Sequence, residues 1–299
     1  MALPPITISE LLAPGFLEEV SRLSLLVRRV ARFGNPAEQR SAHMGAGMEF
    51  RDFRPYTPGD DFRAIDWNIY RRLGRVVLRL FEDLEDLPVY VAIDNSLSMF
   101  HGDNPRCRAG QVAGFALASV ALAQHDRVGV FPFADDLNCA MRPSSGKGRQ
   151  LRAAEVIAGI KPAGSTNFVQ AMRRLNGLGL RRGLLVVISD FFDPSGMEAV
   201  AAALGSVRHR LILIQLVRKD DADPTHRGDL RMVDCESGIA HDVSATKEVL
   251  SAYKLAHKKF EQSLAKITRS RKAGLLRLDV DEPVVEQLAK LFATGEYVA

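Results

Sequence analysis

Val89-Tyr90-Val91-Ala92-Ile93, followed at once by Asp94-Asn95-Ser96-Leu97-Ser98-Met99, is the stretch that decides the fold of this chain. Five apolar residues without a break mark a strand buried on both faces, the kind found in parallel sheets covered by helices. The same grammar recurs downstream in Arg127–Phe133, Leu184–Ile188 and Leu211–Val217. Between these runs lie helical stretches at 105–124, 148–160, 166–175 and 195–207. Strands alternating with helices predict right-handed β-α-β crossovers, hence an α/β fold with a doubly wound, mostly parallel sheet. Asn138–Arg142 is expected to add a hairpin partner to the second strand.

Outward from this centre the grammar changes on both sides. Upstream, Phe16, Val20, Leu23, Leu26, Val27 and Val30 recur at helical spacing until Gly34-Asn35-Pro36 stops them, so residues 1–44 read as a helical lead-in. From Gly45 to Trp67 the chain is rich in Gly, Pro, Asp, Arg and aromatics with no helical period; turns and short irregular strands are expected there. Arg75–Phe81 follows as a strand, and residues 45–87 together form a β extension. Downstream, 220–229 reads as a charged loop and Leu230–Cys235 with Ile239–Val243 as a hairpin around Ser237-Gly238. Lys247–Lys272 reads as a long helix, Leu275–Val280 as a strand and Val284–Phe292 as a final helix, so that 88–299 makes one α/β domain.

Composition excludes several classes. The 299 residues carry 40 Lys plus Arg against 36 Asp plus Glu, a net charge of +4, too mild to announce a nucleic-acid binder. The excess gathers at Arg22, Arg28, Arg29 and Arg32 and again between Lys254 and Lys272; solvated helix faces account for both, and a surface for an acidic partner is the functional alternative. No run approaches the roughly 18 apolar residues a membrane span needs. The amino terminus shows no signal sequence, and the three cysteines have no motif spacing, which together point to free thiols in a reducing cytoplasm.

In an open parallel sheet, ligands bind beyond the carboxyl ends of the strands, where the strand order reverses. The informative residues are therefore those just after each buried run: Asp94, Ser96 and Ser98 after the first, Ser189-Asp190 after the third, with Gly164-Ser165-Thr166 supplied by a loop between two helices. Two carboxylates with several hydroxyls, and no His or Cys, suit Mg²⁺, Mn²⁺ or Ca²⁺ rather than zinc. So few acids leave the ion electrophilic, which is the logic of capturing a carboxylate from another molecule. The plainer alternative makes Asp94 and Thr166 helix caps and Asp190 a loop acid, with Asp193 a rival for its place.

Asp94-Asn95-Ser96-Leu97-Ser98 resembles the DxSxS signature of von Willebrand factor A domains, whose metal-ion-dependent adhesion site adds a Thr and an Asp from two further loops. That resemblance implies that Ser96, Ser98 and Thr166 contact the metal directly while Asp94 and Asp190 act largely through water. A second resemblance covers most of the chain. Residues 47–86, with Glu49-Phe50, Arg54-Pro55-Tyr56, Pro58-Gly59-Asp60-Asp61 and Ile65-Asp66-Trp67, resemble the hallmark of the bacterial family called domain of unknown function fifty-eight. Its members are similar to von Willebrand A domains and are commonly linked to MoxR-type AAA+ ATPases. The resemblance implies a metal-binding interaction module partnered by such an ATPase.

Within the β extension, Arg54, Asp60, Asp61, Arg63 and Asp66 are the candidates for a partner surface, although Tyr56 and Trp67 packing around a turn at Gly59 explains the composition equally. The chain contains no GxxxxGK[ST] loop and no GxSxG elbow, and no catalytic residue is expected. Two other functions remain open. A metal-dependent phosphoester hydrolase would suit two Asp with Mg²⁺ at a sheet edge, but the loop offers Ser where a DxD loop has its second acid, and no general base near Asp94 is apparent. Single-stranded RNA binding through the basic helices is the third.

Overall fold

A computed structural model describes residues 6–33, 48–57, 60–62, 65–83, 88–224 and 227–293. In chain order the elements are α1 (Ile8–Leu11), α2 (Pro14–Phe33), β1 (Met48–Pro55), α3 (Trp67–Leu73), β2 (Val77–Asp83), β3 (Val89–Asp94), α4 (Arg106–Ala123), β4 (Val128–Phe133), β5 (Met141–Ser144), α5 (Arg149–Ala158) and α6 (Phe168–Gly177). There follow β6 (Leu184–Ser189), α7 (Met197–Gly205), β7 (Arg210–Val217), α8 (Lys219–Ala222), β8 (Gly228–Val233), β9 (Ala240–Ala245), α9 (Lys247–Arg271), β10 (Gly274–Asp279) and α10 (Val284–Ala293). Residues 1–34 and 87–299 form one compact unit and residues 35–86 another.

The larger unit is built on a six-stranded sheet of order β10-β7-β6-β3-β4-β5, parallel except for the edge strand β5. The doubly wound sheet expected from the sequence is present. Numbered within the sheet alone, the strands run 3-2-1-4-5-6, and the order reverses between β3 and β6. The period-two pleat explains how one continuous apolar run serves two cores. Val89, Val91 and Ile93 face a layer containing α4 and α5, while Tyr90 and Ala92 face one containing α6, α7 and the end of α9.

Helix α4 lies close over β3 because small residues line it: a Cβ on Gly114 would stand 2.7 Å from Ile93 Cδ1. The lead-in does not stand apart as its own segment. Ile6, Leu11, Val20 and Leu23 are buried in the α4-side core, and the Phe16 ring stacks on Phe115 at 6.0 Å. An amphipathic helix needs apolar cover, and α4 with α10 supplies it.

Strands β8 and β9 pair as an antiparallel hairpin with no buried residue, inserted with α8 and α9 into the crossover from β7 to β10. The expected charged loop at its start contains the single turn of α8. Among the described residues no helix is long and apolar enough to cross a membrane.

The smaller unit holds the antiparallel pair β1–β2 and the helix α3. The irregularity foreseen for 45–67 is a bulge between Phe50 and Asp52 within an eight-residue strand, which breaks the period-two pattern. Residues 34–47, with the expected helix stop at Gly34-Asn35-Pro36, and Pro58, Gly59, Arg63, Ala64 and 84–87 lie outside the described residues.

Candidate metal centre

Asp94 ends β3 and Asp190 follows β6, the two neighbours across which the strand order reverses. Their carboxylates are all but sealed from solvent, as are Ser96, Thr166 and Ser189. Asp94 Oδ1 accepts the Ser96 N–H at 2.9 Å. Its Oδ2 accepts the Ser189 hydroxyl at 2.5 Å and the Thr166 hydroxyl at 3.5 Å. The Ser96 and Ser98 hydroxyl oxygens stand 3.1 Å apart. All five residues singled out in the sequence thus belong to three loops at one sheet edge.

Backbone bonds knit those loops. Leu97 N–H reaches Gly164 O, Ala163 N–H reaches Asn95 O, and Asn167 N–H reaches Ala134 O. The Thr166 loop is also tied to the turn after β4: Ser165 donates its N–H and its hydroxyl to Asp135 Oδ1 at 2.8 and 3.1 Å. Gly164 has a φ of +34°, and a Cβ there would lie 1.7 Å from Asp135 Oδ2, so only glycine lets the loop come this close.

Beyond Asp190, Phe191 adopts a φ of 63°, uncommon for a bulky residue. Its N–H bonds to Ser189 Oγ, its buried ring stacks on Phe168, and the next amide, Phe192 N–H, bonds to Asp190 Oδ1. The strained turn fixes the Asp190 carboxylate.

These geometries separate caps from candidate ligands. The cap of α6 is Asn167, whose Oδ1 accepts Gln170 N–H, so Thr166 is released from that duty. Asp193 accepts from Phe168 N–H and Ser195 N–H, which occupies the rival to Asp190.

Burial raises the pKa of both Asp94 and Asp190. The charge of Glu236 adds to it at Asp94, and the charge of Asp94 adds to it at Asp190. Arg106 opposes the rise at Asp190, but its guanidinium is paired with Asp221 at 2.5 Å. Neither site carboxylate is paired with Lys, Arg or His among the described residues. The donors are oxygen throughout, and no trio of His, Cys, Asp or Glu gathers there among the described residues. Two buried acids and three hydroxyls fit a hard divalent cation of the Mg²⁺ type.

The sequence places Ser189 beside Asp190 just after the third run but gives it no role of its own; in the structure its hydroxyl is bonded to Asp94. Sequence reasoning missed Glu236. The Ser98 hydroxyl donates to Glu236 Oε1 at 2.7 Å, so the β8–β9 turn brings a carboxylate to the loop where no base was apparent.

The partner-surface candidates in the smaller unit fare differently. Asp66 is buried and caps α3, accepting from Asn68 N–H and Ile69 N–H, so its carboxylate serves the backbone. Arg54 binds Asp60 at 2.7 Å. Asp60 also accepts from Thr57, and the Thr57 hydroxyl with Arg54 holds it down to about 2. Asp61 is exposed, and Arg63 lies outside the described residues. The basic residues of α9 lie on its solvent side, with Lys254 paired to Asp223.

A family model described as "Protein of unknown function DUF58" matches residues 52–263. Uncharacterized protein Rv1480 of Mycobacterium tuberculosis is 25% identical over 256 residues, covering 84% of this chain and 80% of the relative. Uncharacterized protein MAV169 of Mycobacterium avium is 24% identical over 110 residues, 37% of this chain and 64% of the relative. Among solved structures, the conserved hypothetical protein BatB from Bacteroides thetaiotaomicron aligns with a TM-score of 0.45 at 16% identity, covering 70% of this chain and 98% of that one. Manganese-loaded TRAP protein from Plasmodium vivax aligns with a TM-score of 0.32 at 18% identity, covering 44% and 57%.

Proposed function

Because this chain belongs to the DUF58 family, we propose its role from the site itself: a divalent-cation-dependent binding module that captures an acidic residue of a protein partner. The observation that carries the reading is the pair of buried carboxylates, Asp94 and Asp190, with hydroxyls around them and no basic partner among the described residues. Keeping two acids charged and buried without a paired countercharge is costly despite their hydrogen bonds, and a cation held by them relieves that cost. Asp94, Ser96, Ser98, Thr166 and Asp190 would hold it, as the resemblance to von Willebrand A domains implies. A bound Mg²⁺ or Mn²⁺ supplies a positive centre able to accept an anionic oxygen from another molecule. The hydroxyls are neutral, so the chain's own residues leave that charge incompletely offset.

The family resemblance supplies the partner class, a MoxR-type AAA+ ATPase acting with this module in assembly or maturation of another protein. Affinity for such an ATPase is to be measured in Mg²⁺, in chelator and with Asp94→Ala plus Asp190→Ala. Complex formation only with Mg²⁺ and intact acids supports the reading; undiminished binding in chelator overturns it. Thr166→Ala is expected to weaken partner binding more than metal binding. Glu236 beside Ser98 favours one second reading, a metal-dependent phosphoester hydrolase with Glu236 as base. Turnover of p-nitrophenyl phosphate in Mn²⁺ that disappears in Glu236→Gln would select it.

A further inference from the structure

The contact between Ser98 and Glu236 joins residues 138 positions apart, and nothing in the sheet requires it. Glu236 stands in the β8–β9 turn, which is shaped to hold it. Asp234 accepts from Glu236 N–H, Ser237 N–H and the Ser237 hydroxyl, Gly238 N–H returns to Asp234 O, and Gly238 takes a φ of 72°. The base of the hairpin is anchored independently. Arg218 N–H and the Arg106 guanidinium both bond to the Asp221 carboxylate, Tyr253 Oη donates to Asp221 O, and Lys254 pairs with Asp223. A hairpin that buries nothing in the core is thus fixed at both ends, and its tip rests on a hydroxyl of the candidate metal loop. Glu236 therefore stands one hydrogen bond from Ser98, whose hydroxyl in turn lies 3.1 Å from that of Ser96.

We propose that Glu236 is the chain's own carboxylate ligand for a cation held at Asp94, Ser96, Ser98, Thr166 and Asp190, occupying in the free protein the position that an acidic residue of a partner takes. This rests on the metal-binding reading above. A carboxylate tethered by a short anchored hairpin has an effective concentration in the millimolar range, so an external carboxylate has to displace it. The hairpin thereby sets a threshold against weak acidic ligands.

The test uses the full chain and Mn²⁺ itself as probe. Wild type is expected to bind one Mn²⁺; Glu236→Gln is expected to bind it about tenfold more weakly, the scale for losing a supporting carboxylate, and Asp94→Asn far more weakly. Hydrogen exchange of 228–245 is expected to slow with Mn²⁺ in wild type and not in Glu236→Gln. In the Mn²⁺-loaded proteins, paramagnetic relaxation of the acetate carboxyl carbon is expected to be stronger in Glu236→Gln than in wild type. Equal Mn²⁺ affinity with unchanged hairpin exchange overturns the inference while leaving the metal site standing. Acetate relaxation as strong in wild type overturns the displacement. Failure of wild type to bind Mn²⁺ overturns the site reading itself.

Discussion

Gly164→Ala tests how the Thr166 loop is held. The new Cβ would overlap Asp135 Oδ2, so the flexible Asp135 side chain must swing away and give up its bonds from Ser165 N–H and Oγ. Those two partly exposed bonds are together worth about 1–3 kcal/mol. A non-glycine residue at positive φ adds about 1–2 kcal/mol. Gly164→Ala should therefore destabilise the larger unit by about 2–5 kcal/mol, more than Asp135→Ala, which loses only the bonds. Once Asp135 is gone the clash is gone, so the double variant should be scarcely less stable than Gly164→Ala alone. The assay is urea unfolding followed by far-ultraviolet circular dichroism, because the single tryptophan, Trp67, lies in the smaller unit. If the two substitutions instead add within about 0.5 kcal/mol, Asp135 does not brace this loop and the account is wrong.

Three further outcomes follow from the same geometry. Burial lifts Asp94 to about 6 and Asp190 to about 7, both above their unfolded values. The folded state then holds more protons than the unfolded chain between roughly pH 4 and 7, so stability in chelator should fall as pH rises through that window. Melting at pH 5 and 8 should show it, and Asp94→Asn with Asp190→Asn should remove it. Asp66→Ala should cost the smaller unit about 1 kcal/mol through the lost cap of α3, read by emission of Trp67, the first residue of that helix. Phe168→Ala, which empties a buried place between Phe133 and Phe191, should cost about 3–5 kcal/mol and leave Trp67 emission unchanged.

The central strands were legible because strands covered on both faces leave an unbroken apolar run. Their ends then marked Asp94 and Asp190. Thr166 was offered by its loop but singled out there only with the adhesion-site pattern in view, since spacing alone left it equally a candidate cap. Helix α3 was not legible: Trp67, Tyr70 and Leu73 are exposed and none of its residues is buried, so no apolar period announces it. Its signals were Asp66 at the start and Gly74, with φ of 65°, at the end; the first was taken for a partner-facing acid. Glu236 left no local trace, because its relation to Ser98 exists only once the long crossover has folded.

That crossover also orders the folding of the larger unit. Strands β3 to β7 are close in sequence and can assemble from nearby segments, but β10 reaches its place beside β7 only after 56 intervening residues. The layer over α4 is completed by α2 from one end of the chain and α10 from the other, which pack against each other. The docking of α2 on α10 is therefore the expected slow step, since loop closure on that scale limits rate more than stability. A circular permutant joining the ends and opened within 84–87 would turn that distant encounter into a local one, and should fold faster than the natural order while keeping the same sheet.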